Sequence, residues 1–180
     1  MLRLHHPNQR TTPVAAETIA AGGDAVAPLP TPEAIASAVW IDLAFPLAHE
    51  REAVEAVIGL ELPDKSDMVE IEASSRVYRD GRAQVVNLLL VVGVDSGAPA
   101  AAPVSLILSP ERLVTVRYAD PTAFRALDHD CTRIGPGASP AMLLTQFLEH
   151  VVDRTADILE RMGDEIDALS GVVFGLDRPA

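Results

Sequence analysis

From Pro140 onward the sequence commits to one long amphipathic helix, expected over Ala141 to about Phe174 with no capped finish. Apolar residues recur at Leu144, Leu148, Val151, Ile158, Met162, Ile166, Leu169 and Val173, with Thr155 as the single polar interruption. At about 100° per residue they fall within roughly 80° of one helix face. Glu149, Asp153, Asp157, Glu160, Asp164 and Asp167 occupy a similar arc almost directly opposite. Such a helix needs protein against its apolar seam and water or cations against its carboxylate stripe. The rest of the chain must therefore supply a layer for the seam to pack on.

Composition narrows the function classes. The 180 residues suit one domain with a sizeable core. With 14 Lys and Arg against 26 Asp and Glu, the net charge is −12. That balance argues against nucleic acid and anionic membrane surfaces, whose phosphates call for Lys and Arg. Cys131 is the only cysteine, so an intrachain disulfide is excluded and a reducing compartment is expected. Asp128 and Asp130 oppose thiolate formation there, whatever His129 and Arg133 contribute. The longest apolar runs, Val85 to Val94 and Val104 to Leu108, are strand-length, well short of the roughly 18 to 20 residues of a membrane helix. No apolar core of a signal peptide follows the first residues, and the chain reads as soluble and intracellular.

Residues 1–37 are rich in Ala, Pro, Gly and Thr and read as a flexible extension, in which His5 and His6 are not expected to hold a specific metal. Order is expected to begin at the short strand Val39 to Leu43. A helix over Leu47 to Ile58 follows, with Pro46 at its start and Gly59 at its end. Glu61 to Met68 is a Pro-containing link with room for one short helix. Val69, Ile71 and Ala73 alternate with polar residues as in a strand, and Asp80-Gly81 marks a hairpin turn. Val85 to Val94 is apolar enough for a central strand covered on both faces. After a loose loop over Ser96 to Pro103, Val104 to Leu108 and Leu113 to Tyr118 read as an antiparallel pair around Ser109-Pro110. Asp120-Pro121 starts a helix to about Cys131, and Gly135-Pro136-Gly137 separates it from the long helix. This order predicts an α/β (α+β) domain over 38–175: a mixed sheet sandwiched between helices and ending in the long amphipathic helix.

Catalytic signatures are absent. There is no phosphate-binding glycine loop, no nucleophile elbow and no zinc-type Cys/His spacing, so no enzyme activity is expected. What remains is carboxylate. Oxygen ligands suit hard divalent cations such as Mg²⁺, which keep several waters and can be held loosely by a row of acids. A plainly solvated acidic face is the other reading of the same stripe, with Arg154 and Arg161 nearby to relieve its repulsion.

Taken in order, Trp40-Ile41-Asp42-Leu43, Val57-Ile58-Gly59, Leu62-Pro63, Met68 to Tyr78, Leu113-Val114-Thr115-Val116-Arg117 and Val151 to Leu169 resemble the N-terminal cytosolic domain of the CorA-type divalent cation transporters. The resemblance covers roughly Val39 to Phe174. It implies an α/β/α sandwich within a homopentameric inner-membrane transporter of Mg²⁺, or of Zn²⁺, Co²⁺ or Ni²⁺ in the ZntB-like branch. It further implies that loosely bound regulatory ions between neighbouring cytosolic domains hold the channel closed.

The family's sensing acid lies a few residues after the proline of the helix-to-strand link. On that pattern Asp67 is the nearest equivalent, with a helix cap or exposed loop acid as its alternative role, and Asp64 and then Glu70 are the next candidates. The stripe acids Asp153, Asp157, Glu160, Asp164 and Asp167 would add cation-facing charge. The family's stalk, membrane helices and Gly-Met-Asn motif do not occur in these residues, and 176–180 read as the truncated start of a stalk. The chain is thus expected to be a cytoplasmic piece that meets a membrane only through those helices. The rival expectation is a free-standing acidic interaction module, indifferent to divalent ions, whose long helix docks a basic partner.

Overall fold

A computed structural model describes residues 1–6, 12–13, 29–69, 76–134 and 137–175. The elements are β1 (Leu2–His5), β2 (Thr12–Pro13), α1 (Pro32–Ser37), β3 (Trp40–Ala44), α2 (Ala48–Ile58), β4 (Val77–Asp80), β5 (Ala83–Val92), β6 (Ala100–Leu108), β7 (Leu113–Arg117), α3 (Thr122–Ile134) and α4 (Pro140–Val173). A single 3₁₀ turn, Asp67–Val69, lies between α2 and β4. The strands form one mixed sheet in the order β2-β1-β3-β7-β6-β5-β4, in which only β3 and β7 run parallel.

Alternation along the strands builds two cores. On one face Leu2, Leu4, Ile41, Leu43, Val114 and Val116 meet Ile35 of α1 and Val54 of α2. On the other, Trp40, Val104, Leu106 and Leu113 meet Phe124 and Leu127 of α3 and Leu143 and Phe147 of α4. The sheet is thus sandwiched between helical layers, as the sequence order predicts. The local signals act as expected at α2, which ends on Gly59 in the left-handed region at φ 69°, and at α4, which Ser139 caps by accepting from the Met142 N–H.

Several expectations need correction. The first residues are not a flexible extension: Leu2 to His5 pair antiparallel with Leu43 to Trp40. Leu2, Leu4 and His5 are buried, and the Leu2 N–H donates to Glu50 of α2. Four residues were too short a run for their alternation to stand out. Thr31 then caps α1, which buries Ile35. β5 is not covered on both faces, because Leu89 and Val91 are half exposed where the α1–α2 layer stops short of it. β6 starts four residues early, at Ala100, and contains Pro103. There β6 has outrun β7, whose pairing stops at Val104, so no ladder partner on that side needs the missing N–H. The β4–β5 hairpin turns on Gly81-Arg82, one residue after the expected dipeptide, with Asp80 paired to Ala83. The expected strand over 69–74 begins as the 3₁₀ turn at Val69, and its remainder lies outside the described residues.

The long helix departs most. It does have a finish: Gly175, at φ 68°, stops it in the left-handed conformation, and the Phe174 N–H returns to the Ser170 carbonyl. Its firm anchors are Leu143 and Phe147, both buried and both outside the expected seam. The seam itself is only partly buried at Leu144 and Val151 and is open at Met162, Ile166, Leu169 and Val173. The reason is length. Its 34 residues span about 51 Å, far more than the sheet beneath can cover.

Candidate functional site

After α2 the chain is clamped back onto that helix. The Arg51 guanidinium donates to the carbonyls of Leu62 and Pro63, and Glu55 accepts from the Leu62 N–H at 2.9 Å. Leu62 and Met68 are buried on either side, which leaves Asp64 to Asp67 displayed as an exposed turn. Within it Asp64 Oδ1 accepts from the Ser66 N–H at 2.7 Å, the Ser66 hydroxyl at 2.6 Å and the Asp67 N–H at 2.9 Å. Asp67 Oδ2 accepts from the Asp64 N–H at 2.9 Å. This is a reciprocal capping arrangement with Asp in both positions. The Ser66 hydroxyl, with the Asp67 and Ser66 backbone N–H groups, holds the Asp64 carboxyl below its usual range. The capping alternative therefore fits Asp67, and each of the two exposed carboxylates commits one oxygen to the turn. Glu70 lies outside the described residues.

The stripe acids Asp153, Asp157, Glu160, Asp164 and Asp167 are all exposed, and among the described residues none forms an ion pair. Arg154 and Arg161 form their ion pairs elsewhere, although Arg154 still feels the charge of Asp157. Arg154 reaches Asp95 in the β5–β6 loop at 2.7 Å, and Arg161 divides between Asp95 and Glu165. Among the described residues no three acidic, His or Cys side chains converge as a metal site. A cleft of about 430 Å³ between the end of α2 and the two hairpins has Glu111 as its only acid, beside Arg82 and Arg112, and excludes Asp64 and Asp67. Among the described residues, Asp64, Asp67 and the stripe acids all lie on the outside of the molecule, and no three of them converge.

A buried polar chain lies where sequence reading found only a resemblance. Trp40 Nε1 donates to Thr115 Oγ1 at 3.1 Å, and Thr115 donates to Asp42 Oδ1 at 2.9 Å. Arg117 pairs with Asp42 Oδ2 at 2.9 Å and continues to the half-exposed Asp120 at 2.7 Å. Phe124 covers the guanidinium at 4.5 Å from its ring centre. The detectable signal was a charge inside each of two apolar strands, both on the face that alternation assigns to α3. Burial works against the Arg117 charge, but Asp42 and Asp120 outweigh it and raise its pKa. Burial likewise pushes the Cys131 thiol up to about 12, aided by Asp128 and Asp130, so it is no nucleophile.

His5 stacks on Trp40 with ring centres 3.8 Å apart and has Asp128 at 3.6 Å. Burial lowers its pKa to about 4 despite that carboxylate. Above pH ~6.5 it is neutral in both folded and unfolded chains; as the pH falls toward 4, only the unfolded chain gains the proton. This single group should cost about 2 kcal/mol of stability by pH 5. Urea unfolding of His5→Phe at both pH values should show that part of the pH dependence removed.

Comparison with known proteins follows the fold. The family model described as CorA-like Mg²⁺ transporter protein matches residues 36–179. A magnesium transport protein CorA of Wolinella succinogenes is 27% identical over 155 residues, covering 81% of this chain and 47% of the relative. One of Sodalis glossinidius is 29% identical over 139 residues, covering 76% and 44%. Among solved structures, the soluble domain of CorA from Methanocaldococcus jannaschii aligns at a TM-score of 0.62 with 17% identity, over 76% of this chain and 55% of that one. The full-length CmaX protein aligns at 0.65 with 16% identity, over 99% and 52%. The chain spans about half the length of the relatives it matches, and among its described residues no helix is long and apolar enough to cross a membrane.

Proposed function

The chain belongs to the CorA-like Mg²⁺ transporter family, and from that premise we propose that it is the cytosolic, cation-sensing domain of a homopentameric divalent metal transporter of the inner membrane. Mg²⁺ is the cargo named for the relatives; Zn²⁺, Co²⁺ and Ni²⁺ share its preference for charged ligands but tolerate softer ones. The observation that carries the reading is the placement of the carboxylates. Asp67 and the helical stripe are exposed and form no ion pair, and among the described residues none of them closes a site within one copy.

Carboxylates presented this way bind a hydrated hard cation weakly alone and well when a neighbouring copy supplies further oxygens. Asp67, the nearest equivalent of the family's sensing acid, is the primary ligand; Glu70 and the stripe set the local field that draws cations in. Asp64 is a positioning residue that holds the turn. With the ion bound, neighbouring acidic domains are screened from one another; without it they repel and separate, and that equilibrium is the switch.

Mn²⁺ serves as a paramagnetic stand-in to test the sites in the 180-residue chain. Amide signals around Asp67 and Asp153 to Asp167 should broaden first and recover on adding Mg²⁺. Asp67→Asn should abolish the effect at the turn alone. Broadening confined to other surfaces would refute the assignment.

A further inference from the structure

We propose that the cleft between the end of α2 and the two hairpins binds a small amphipathic anion: an apolar body carrying one carboxylate or phosphate group. This does not rest on the cation reading, since neither Asp64 nor Asp67 lines the cleft. Its volume of about 430 Å³ lies within the roughly 300–1,000 Å³ of small-molecule sites. Part of the lining is apolar, with Ile58 and Leu60 at the end of α2 and Ile107 and Val114 on the sheet. Such a lining suits a flat hydrocarbon body and offers no acceptor to a cation.

Arg112 selects the charge of the occupant. Its backbone is fixed by Ser109, whose hydroxyl accepts from the Arg112 N–H and donates to its carbonyl, both at 3.1 Å. Arg112 Nη2 donates to the Ala36 carbonyl at 3.1 Å, whereas Nη1 is buried with no hydrogen-bond partner. Arg117, Arg154 and Arg161 each hold a carboxylate. The one acid in the cleft, Glu111, lies instead 3.5 Å from Arg82. A buried donor left unsatisfied calls for a water or an ion, and only an anion also answers the charge. Nη1 is out of reach of solvent, so binding requires the guanidinium to turn toward the cleft that the side chain lines. Arg82 is 79% exposed, and its surface pair with Glu111 holds it weakly, so it is available for a second oxygen. Arg82 also lines a neighbouring cleft with Arg79, where among the described residues there is no acid. In a chain of net charge −12, the three arginines concentrate positive potential at this end of the sheet.

Amide and arginine Nε–H NMR of the 180-residue chain tests this, with EDTA present so that no divalent ion bridges a ligand to Asp67. At least one of benzoate and phenyl phosphate should shift the signals of Gly81, Arg82 and Arg112 saturably, and the one that does identifies the head group. A Kd of about 1 mM or below is expected of ligands this small. Inorganic phosphate, which lacks the body, and benzamide, which lacks the charge, should bind at least about tenfold more weakly. Arg112→Met should weaken binding at least about tenfold, and Arg82→Gln, which alters only a surface side chain, about threefold. Arg125→Gln, an exposed arginine of α3 outside the cleft, should leave binding unchanged. Shifts spread over the arginines at large, benzamide binding as tightly as the anions, or an affinity indifferent to both Arg82→Gln and Arg112→Met would each overturn the proposal.

Discussion

Arg117→Met should destabilise the domain by about 3–5 kcal/mol, the cost of leaving a buried carboxylate without its partner. Asp42 and Arg117 are 1% and 2% exposed, and both sit between the parallel strands and Phe124. Methionine restores much of the volume but neither the charge nor the donors to Asp42 and Asp120. The double variant Asp42→Leu with Arg117→Met should recover most of the loss, because a buried ion pair replaced as a unit by apolar residues is close to neutral. Urea unfolding of the four members of this cycle, with equal m-values, gives the coupling directly. A single variant as stable as the parent would show that the pair contributes nothing.

Phe147→Ala should cost a similar amount, about 3–5 kcal/mol, through lost burial and the cavity left behind. Phe147 is fully buried and packs against Phe124 with ring centres 4.7 Å apart, so it fastens α4 to both α3 and the sheet. Met162→Ala, four turns further along the same helix, should change the stability of the separated chain by no more than about 0.5 kcal/mol. Thermal unfolding of the two variants distinguishes an anchor from an exposed seam. Comparable losses at both sites would mean that the distal half of α4 is packed after all.

Most of the layer order was legible because its signals are local. Gly59, Ser139-Pro140 and the alternation in Trp40 to Leu43 each act within a few residues of where they stand. The long helix was legible as a helix, but not which side of it packs. Leu143 and Phe147 lie on a face rotated by roughly 80° from the distal apolar residues, so averaging over the whole length placed the seam on the more numerous distal set. β1 was missed because its burial depends on the edge of β3, a contact 35 or more residues away in sequence.

At the site, the pattern of the family pointed to Asp64 and Asp67, and the turn brings them together. What no local pattern could reveal is their reciprocal capping, in which each carboxylate gives one oxygen to the other residue's N–H. The buried Asp42–Arg117 pair escaped because its members are 75 residues apart, although each is a charge inside an apolar strand.

Regulation through Asp67 is tested most directly by the Mg²⁺ dependence of ion flux in the intact transporter carrying this domain, compared with its Asp67→Ala variant. Loss of that ligand should move the Mg²⁺ concentration that closes the channel upward by at least about fivefold, the smallest shift expected of a functional coupling between sites. An unchanged closing concentration in a variant that still assembles would remove Asp67, and with it carboxylate sensing at this turn, from the mechanism.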